Sequence, residues 1–200
     1  MRQMTLRIIC TLIFVLSSSL VVAQDWIGVG TQVPDIDVYD LSGKAVRLSS
    51  LWADKPVLLV TGSLTCPPSR RTLPDTGAIL DEYKKRLNVA VLYVIDAHPK
   101  GDLSPYSGKE WVTKTNIEEG ILIRQPRNQD ERISRAVELQ ELLGLSAPIM
   151  VDNMDNIGWE SIGNRPNSAT LISKDGIVLE HQKWFDNENI RHVIERHLSR

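Results

Sequence analysis

Three short runs of apolar residues constrain the fold of this chain more than any other feature. Residues 56–62, 89–95 and 148–152 are rich in Val, Leu and Ile and have the length of buried strands. Helical patterns lie between these runs. Because a strand, a helix and a second strand in succession favour parallel pairing in one sheet, the sequence predicts an α/β fold with a central sheet flanked by helices.

The remaining segments predict an antiparallel edge that makes the sheet mixed, together with an N-terminal extension and an inserted loop region. Residues 169–173 and 177–181 enclose the turn Lys174-Asp175-Gly176 and predict an antiparallel hairpin. Residues 24–52 predict an N-terminal extension of short extended pieces, and residues 96–127 an inserted loop region with several Gly and Pro.

Three helices have clear boundary signals. A helical stretch begins after Cys66 and runs to about Leu87, and a second spans residues 128–143 and stops at Gly144. Asp186 is placed to cap the last helix.

The start of the chain predicts export. Residues 1–23 combine Arg2 and Arg7 with an apolar run, and Ala23 suits a signal peptidase, so we expect a signal peptide cleaved after Ala23. An uncleaved anchor is the alternative. The mature domain would then be residues 24–200, periplasmic or secreted, with no membrane contact after cleavage. The net charge of −2 and the absence of a basic stripe argue against a nucleic-acid partner.

Cysteine content directs attention to one residue. The chain has two cysteines, and Cys10 lies within the predicted signal peptide. Cys66 therefore has no internal disulfide partner, and it is reactive, paired with another chain, or buried and inert. Its position between a predicted strand and a predicted helix favours reactivity, because helix N-termini stabilise thiolates.

The residues around Cys66 support this interpretation. Pro67 suits the first helical turn, and the Ser69 hydroxyl lies on the same side of that turn, where it can hydrogen-bond a thiolate. Thr65 is expected to make a local hydrogen bond. The sequence predicts no metal site, since no pair of histidines has ligand spacing with Cys66.

Four segments resemble motifs of known families. Residues 66–69 (Cys-Pro-Pro-Ser) resemble the Cys-x-x-Cys motif of the thioredoxin superfamily with its second cysteine replaced. Residues 62–68 (Gly-Ser-Leu-Thr-Cys-Pro-Pro) are similar to the active-site signature of the iodothyronine deiodinase family, with Cys66 at the selenocysteine position. Residues 93–99 and 151–156 resemble two further motifs of that family.

This resemblance implies a thioredoxin-like fold, redox chemistry and a set of site residues. Cys66 would be the nucleophile and His98 would move a proton. Asp96 replaces the glutamate that precedes the family's Ala-His pair, and it either orients His98 or only ends the strand. Pro126 stands where vertebrate members carry a substrate-contacting histidine, and Ala169 falls near an arginine that holds the hormone carboxylate. The catalytic half of the pattern is present and the hormone-binding half is absent.

The leading hypothesis is an exported thiol-dependent oxidoreductase that performs reductive dehalogenation or thiol–disulfide chemistry. It needs no bound cofactor, but an external thiol or a thioredoxin-like reductase must regenerate Cys66, and its substrate is a small molecule or a protein thiol. Two alternatives remain. One is a one-cysteine peroxidase, because Ser63 precedes Cys66 at peroxiredoxin spacing, although Leu59 stands where that family has proline. The other is a non-catalytic binding module.

The mechanism requires a specific geometry. We expect the strands that end near Gly62 and Ile95 to be parallel, which places Cys66 and His98 at one edge of the sheet. Residues 99–127 would cover that edge as a lid or wall, and Trp111 is placed to line a pocket there.

Overall fold

The computed structural model describes residues 27–198. The predicted signal peptide, its cleavage site and Cys10 lie outside this range. Within it, no helix is both long enough and apolar enough to cross a bilayer.

A seven-stranded mixed sheet with helices on its faces forms the framework. Its spatial order is β2-β1-β5-β4-β3-β6-β7. The strands are β1 (Asp37–Tyr39), β2 (Ala45–Arg47), β3 (Val57–Gly62), β4 (Asn88–Tyr93), β5 (Ile149–Val151), β6 (Ala169–Ile172) and β7 (Val178–Gln182). The helices are α1 (Pro67–Thr72), α2 (Asp75–Tyr83), α3 (Lys114–Glu118), α4 (Gln129–Leu143), α5 (Ile157–Ile162) and α6 (Asn187–Leu198), with a 3-10 turn at Leu48–Trp52.

The predicted α/β class and mixed sheet are confirmed. β3 pairs in parallel with β4, and β4 in parallel with β5, because helices connect them. β6 and β7 form the predicted antiparallel hairpin, and β6 lies against β3. Every residue of β3 is buried, since apolar clusters cover both faces of the sheet.

Several helix boundaries follow from capping. Asn128 Oδ1 accepts the Glu131 N–H at the start of α4 across 2.9 Å, and Gly144 ends that helix in the left-handed region at φ 60°. Asp186 Oδ1 accepts the backbone N–H groups of Glu188 and Asn189, as predicted for the last helix.

The helical stretch predicted after Cys66 is two helices rather than one. α1 ends at Thr72 and α2 begins at Asp75, with Pro74 between them. Proline has no N–H to donate to the preceding turn, and its ring collides with that turn, so the helix breaks there.

Candidate active site

Cys66 lies where the chain leaves the sheet and enters α1. It is the N-cap residue of α1, with extended backbone angles, and 1% of its surface is exposed. Its N–H donates to the Ser63 carbonyl across 3.2 Å. The thiol is thus held in a tight turn directly after β3.

The two N–H groups before Cys66 are bound by residues at the end of β4. Leu64 N–H donates to the Tyr93 hydroxyl across 3.3 Å, and Thr65 N–H donates to Asp96 Oδ1 across 3.3 Å. Tyr93 and Asp96 reach this loop because Gly62 and Tyr93 are paired at the ends of parallel strands. The predicted parallel geometry is confirmed, and it brings the two loops together.

The two carbonyl groups of the same residues are bound from the other side. Arg70 Nη1 donates to the Leu64 carbonyl across 2.5 Å, and Asn116 Nδ2 donates to the Thr65 carbonyl across 2.8 Å. The backbone polar groups of Leu64 and Thr65 therefore all have side-chain partners, as buried backbone requires. The loop that carries Cys66 is held on both sides.

Burial and local charge act on the Cys66 thiol in opposite directions. Burial raises the pKa of Cys66 above its ordinary value, while the Ser69 hydroxyl and N–H and the Arg70 charge lower it by less. The Ser69 hydroxyl also donates to the Pro166 carbonyl. The helix start does favour the thiolate, as the sequence indicated, but burial outweighs it and keeps the thiol protonated.

Asp96 is a buried carboxyl that binds hydroxyl groups. Oδ1 accepts the Tyr93 hydroxyl across 3.0 Å and the Thr65 hydroxyl across 3.1 Å. Burial raises the pKa of Asp96, and the donors of Thr65 and Tyr93 oppose that rise. Its carboxylate bonds go to these two residues rather than to an imidazole.

His98 lies beside this network and is linked to Asp96 through Thr65. Its backbone N–H donates to Thr65 Oγ1 across 3.0 Å. Its ring stands edge-on to Trp111, with centroids 4.3 Å apart and planes at 86°. Its Nδ1 is buried without a hydrogen-bond partner. Burial lowers the pKa of His98, so the imidazole is neutral near neutral pH and able to accept a proton.

The inserted region forms a wall beside His98. An open cleft of about 360 Å³ is lined by His98, Tyr106, Trp111, Arg165, Lys183 and Trp184. The Arg165 guanidinium lies 5.6 Å from the Tyr106 ring centroid. Burial raises the pKa of Tyr106 far above its ordinary value. Tyr106 and Trp111 thus supply the wall expected from residues 99–127.

The wall is anchored to the end of β4 by Gln125. Its side-chain amide donates to the Asp96 carbonyl across 2.6 Å and accepts the Asp96 N–H across 3.2 Å. Asp102 in turn accepts the Gln125 N–H across 3.0 Å and pairs with Arg127 at 2.8 Å. The insertion is therefore bonded to the backbone of a site residue.

Two further positions singled out in the sequence lie at the starts of elements. Pro67 is the first residue of α1, and Ala169 opens β6, where it is buried and paired with Val60. No group of three or more His, Cys, Asp or Glu residues suited to a metal ion occurs in the described range 27–198.

Sequence reasoning missed four residues that hold the site: Tyr93, Asn116, Gln125 and Tyr106. A tyrosine three residues before a strand-ending aspartate was the available signal for Tyr93. The other three lie in the loop-rich insertion, where no periodic pattern marks an inward-facing side chain.

The fold and the cysteine at the start of α1 define a thioredoxin-fold protein. Solved structures similar to it include the thioredoxin domain of a thiol-disulfide oxidoreductase from Bacteroides vulgatus, with a TM-score of 0.58 and 15% identity over 86% of this chain and 99% of that one. Peroxidoxin BcpB from Mycobacterium tuberculosis has a TM-score of 0.52 and 14% identity over 86% of this chain and 94% of that one.

The chain belongs to the iodothyronine deiodinase family. The family profile described as Iodothyronine deiodinase matches residues 2–198. Type I iodothyronine deiodinase of Xenopus laevis is 24% identical over 86% of this chain and 65% of its own length. Type II iodothyronine deiodinase of Rattus norvegicus is 26% identical over 74% of this chain and 54% of its own length. The chain thus spans less than two thirds of the length of these relatives.

Proposed function

We propose that this protein is an exported thiol-dependent oxidoreductase in which Cys66 is the nucleophile. The observation that carries the proposal is the placement of Cys66 at the N-cap of α1, one turn before Arg70, with a neutral His98 in the neighbouring loop. The family membership and the thiol-disulfide oxidoreductase among the structural neighbours support it.

The first step is transfer of the Cys66 proton. Burial holds Cys66 as a thiol, so it needs a base when substrate arrives, and the unpartnered Nδ1 of His98 is the available acceptor. Movement of the Tyr106–Trp111 wall would open Sγ to substrate. Asp96 would act at a distance, by fixing Thr65 and through it the backbone of His98.

With a disulfide substrate, the Cys66 thiolate attacks one sulfur. A bond forms between Sγ and that sulfur, and the other sulfur leaves as a thiolate that takes the proton from His98. With a halogenated aromatic substrate, Sγ takes the halogen and the ring carbon takes the proton, which leaves a cysteine sulfenyl halide. An external thiol displaces halide from that sulfur to give a mixed disulfide.

Both routes converge on a mixed disulfide that a further external thiol reduces. On the halogen route the two external thiols leave as one disulfide. On the disulfide route one external thiol leaves joined to the bound half of the substrate as a disulfide. In both cases Cys66 returns to its starting state. No resolving cysteine is needed in the chain, which agrees with Ser69 at the position of the second cysteine of the thioredoxin motif.

The test compares Cys66→Ser with the parent protein on disulfide, peroxide and halogenated aromatic substrates with added thiol. We expect turnover by the parent and none by the variant. His98→Gln should reduce turnover about 100-fold, whereas His192→Gln, the same change at an exposed position of α6, should not. Inactivity of the parent on all three substrates, or equal activity of Cys66→Ser, would overturn the proposal.

Export has a separate test. Expression of the full chain in a bacterial host should yield mature protein outside the cytoplasm with Gln24 as its first residue. Recovery of intact Met1 protein from the membrane would instead support the uncleaved anchor.

A one-cysteine peroxidase is the second candidate, and Ser63 favours it. The Ser63 hydroxyl is buried without a partner, three residues before Cys66, so it is free to bind a peroxide oxygen. Attack by the thiolate would cleave the O–O bond, giving a sulfenic acid on Cys66 and an alkoxide or hydroxide that takes a proton. Dimedone trapping after peroxide addition should label Cys66 if this is the activity, and no label would exclude it.

The burial of Cys66 favours a third candidate, a non-catalytic binding module. A thiol that is 1% exposed is typical of a packed cysteine. Maleimide labelling of the native protein separates the cases, since an inert Cys66 would support the binding module and rapid labelling would exclude it.

A further inference from the structure

Arg70 is a buried cation one turn after Cys66. Its side chain is 7% exposed, and its guanidinium has three partners. Besides the Leu64 carbonyl, Nη2 donates to Asn116 Oδ1 across 2.9 Å, and Nη2 and Nε donate to Glu119 Oε2 across 2.7 and 3.0 Å. A cation at this depth requires such partners, because burial without them is costly. The orientation of Arg70 is therefore set by the inserted region.

Asn116 connects Arg70 to the residue before Cys66. It is fully buried on α3, and both ends of its amide are used: Oδ1 accepts from Arg70, and Nδ2 donates to the Thr65 carbonyl. Thr113 caps α3 by accepting the Asn116 N–H across 3.1 Å, which fixes the asparagine in turn. One side chain of the insertion thus holds both the backbone before the thiol and the cation after it.

Glu119 counteracts the cation. Its carboxylate bonds to Arg70 on one side and is half exposed, at 49%, on the other. An anion at this distance offsets part of the field that Arg70 exerts on the thiol, and solvent screens the pair only partly. Asn116 and Glu119 therefore act on Arg70 in different ways, the first by position and the second by charge.

We propose that Arg70, Asn116 and Glu119 form a positioning device through which the inserted region sets the reactivity of Cys66. Asn116 and Glu119 are positioning residues: Asn116 acts on the thiol through Arg70 and the Thr65 backbone, and Glu119 acts through Arg70. The proposal rests on the proposed function in taking Cys66 as the reactive group. It goes further in assigning control of that group to α3 and the residue that follows it.

The device predicts two changes of opposite sign. Asn116→Leu removes the bonds to the Thr65 carbonyl and to Arg70, so only Leu64 and Glu119 still hold the cation and the thiolate loses stabilisation. Glu119→Gln removes the opposing charge and leaves Arg70 in place, so the Cys66 thiolate is stabilised more strongly. A merely structural contact would lower stability in both variants without moving the ionisation of Cys66 in either direction.

The experiment measures the rate of Cys66 carboxamidomethylation by iodoacetamide from pH 6 to 10 in the folded protein. At pH 7.5 we expect Asn116→Leu to react about threefold slower and Glu119→Gln about threefold faster than the parent, with matching shifts in the pH midpoint. Glu118→Gln is the matched control. It removes the same charge from the neighbouring residue, but Glu118 faces solvent and pairs with Lys114 rather than with Arg70. It should behave as the parent does.

The outcomes are separable. If Cys66 of the folded parent is not alkylated at any pH up to 10, although the urea-unfolded chain is, the proposed function fails and this inference fails with it. If the parent reacts and Glu119→Gln shifts the midpoint no more than Glu118→Gln, this inference fails and the function stands. Should Asn116→Leu not fold, the Glu119→Gln comparison decides alone.

Discussion

The Thr65 hydroxyl donates to Asp96 Oδ1 across 3.1 Å, and its own oxygen, Oγ1, accepts the backbone N–H of His98 across 3.0 Å. A single threonine side chain therefore joins the loop after β3 to the loop after β4. The Asp96 carboxyl, which the motif resemblance predicted to orient His98, is linked to the His98 backbone through this hydroxyl, and the imidazole Nδ1 has no hydrogen-bond partner.

Thr65→Val should destabilise the protein and misplace His98. Valine has the shape of threonine without the hydroxyl, so the buried His98 N–H and the Asp96 carboxyl each lose a partner. We expect the free energy of unfolding to fall by about 1–3 kcal/mol in urea titrations. Thr65→Ser keeps the hydroxyl and should recover most of the loss. Equal stability of the valine and serine variants would contradict the role of the hydroxyl.

The Cys66 thiol should ionise at a higher pH in the folded protein than in the unfolded chain. Burial raises its pKa above the ordinary value of 9.0. The midpoint of thiolate absorbance at 240 nm, corrected with Cys66→Ser, should therefore be higher in buffer than in 8 M urea. A folded-state midpoint at or below the urea value would show that Ser69 and Arg70 outweigh burial.

Trp111→Leu should raise the pKa of His98. The wild-type imidazole titrates below 6.5 because it is buried, and the Trp111 ring lies against it at 4.3 Å. A smaller side chain admits water, so the charged imidazole becomes less costly and the pKa moves back toward 6.5. NMR titration of the imidazole C–H signals measures this. Trp184→Leu, a change at the same cleft, is the control and should leave His98 closer to its wild-type value.

His181 should make the protein less stable in mild acid. Its pKa in the fold is about 4, lowered by burial, while Nδ1 lies 2.9 Å from Thr170 Oγ1. Between pH 4 and 6.5 the unfolded chain binds a proton that the native state does not, so stability rises with pH through this window. His181→Gln should flatten the change in urea midpoint between pH 4.5 and 7. His192→Gln, at an exposed position, should keep the wild-type slope.

Local signals in the sequence predicted the framework well. The strands around β3 and β4 follow from runs of β-branched residues, and Asn128, Gly144 and Asp186 mark helix ends because capping depends on residues that are adjacent in the chain. The placement of Cys66 and His98 in neighbouring loops also followed, since parallel strands bring their C-terminal ends together.

The bonds inside the site could not be predicted in the same way. Tyr93 lies in an apolar strand, and its hydroxyl reaches Leu64 only because of the register between β3 and β4. Asn116 lies in a region without periodicity and meets Arg70 46 positions away in the sequence. Such pairs depend on tertiary packing, for which one sequence carries no local pattern. The direction in which the pKa of Cys66 shifts likewise depends on how deeply the fold buries the thiol.

The Ser69–Pro166 hydrogen bond has a consequence for the order in which the molecule folds. It joins positions 97 residues apart, on either side of the contact between β3 and β6. The two positions become neighbours through the pairing of β3 with β6, so this contact needs that pairing to be in place. The surroundings that shield Cys66 therefore assemble only once the C-terminal hairpin has docked. Until then, the newly made chain presents its thiol unprotected to any oxidant or disulfide it meets.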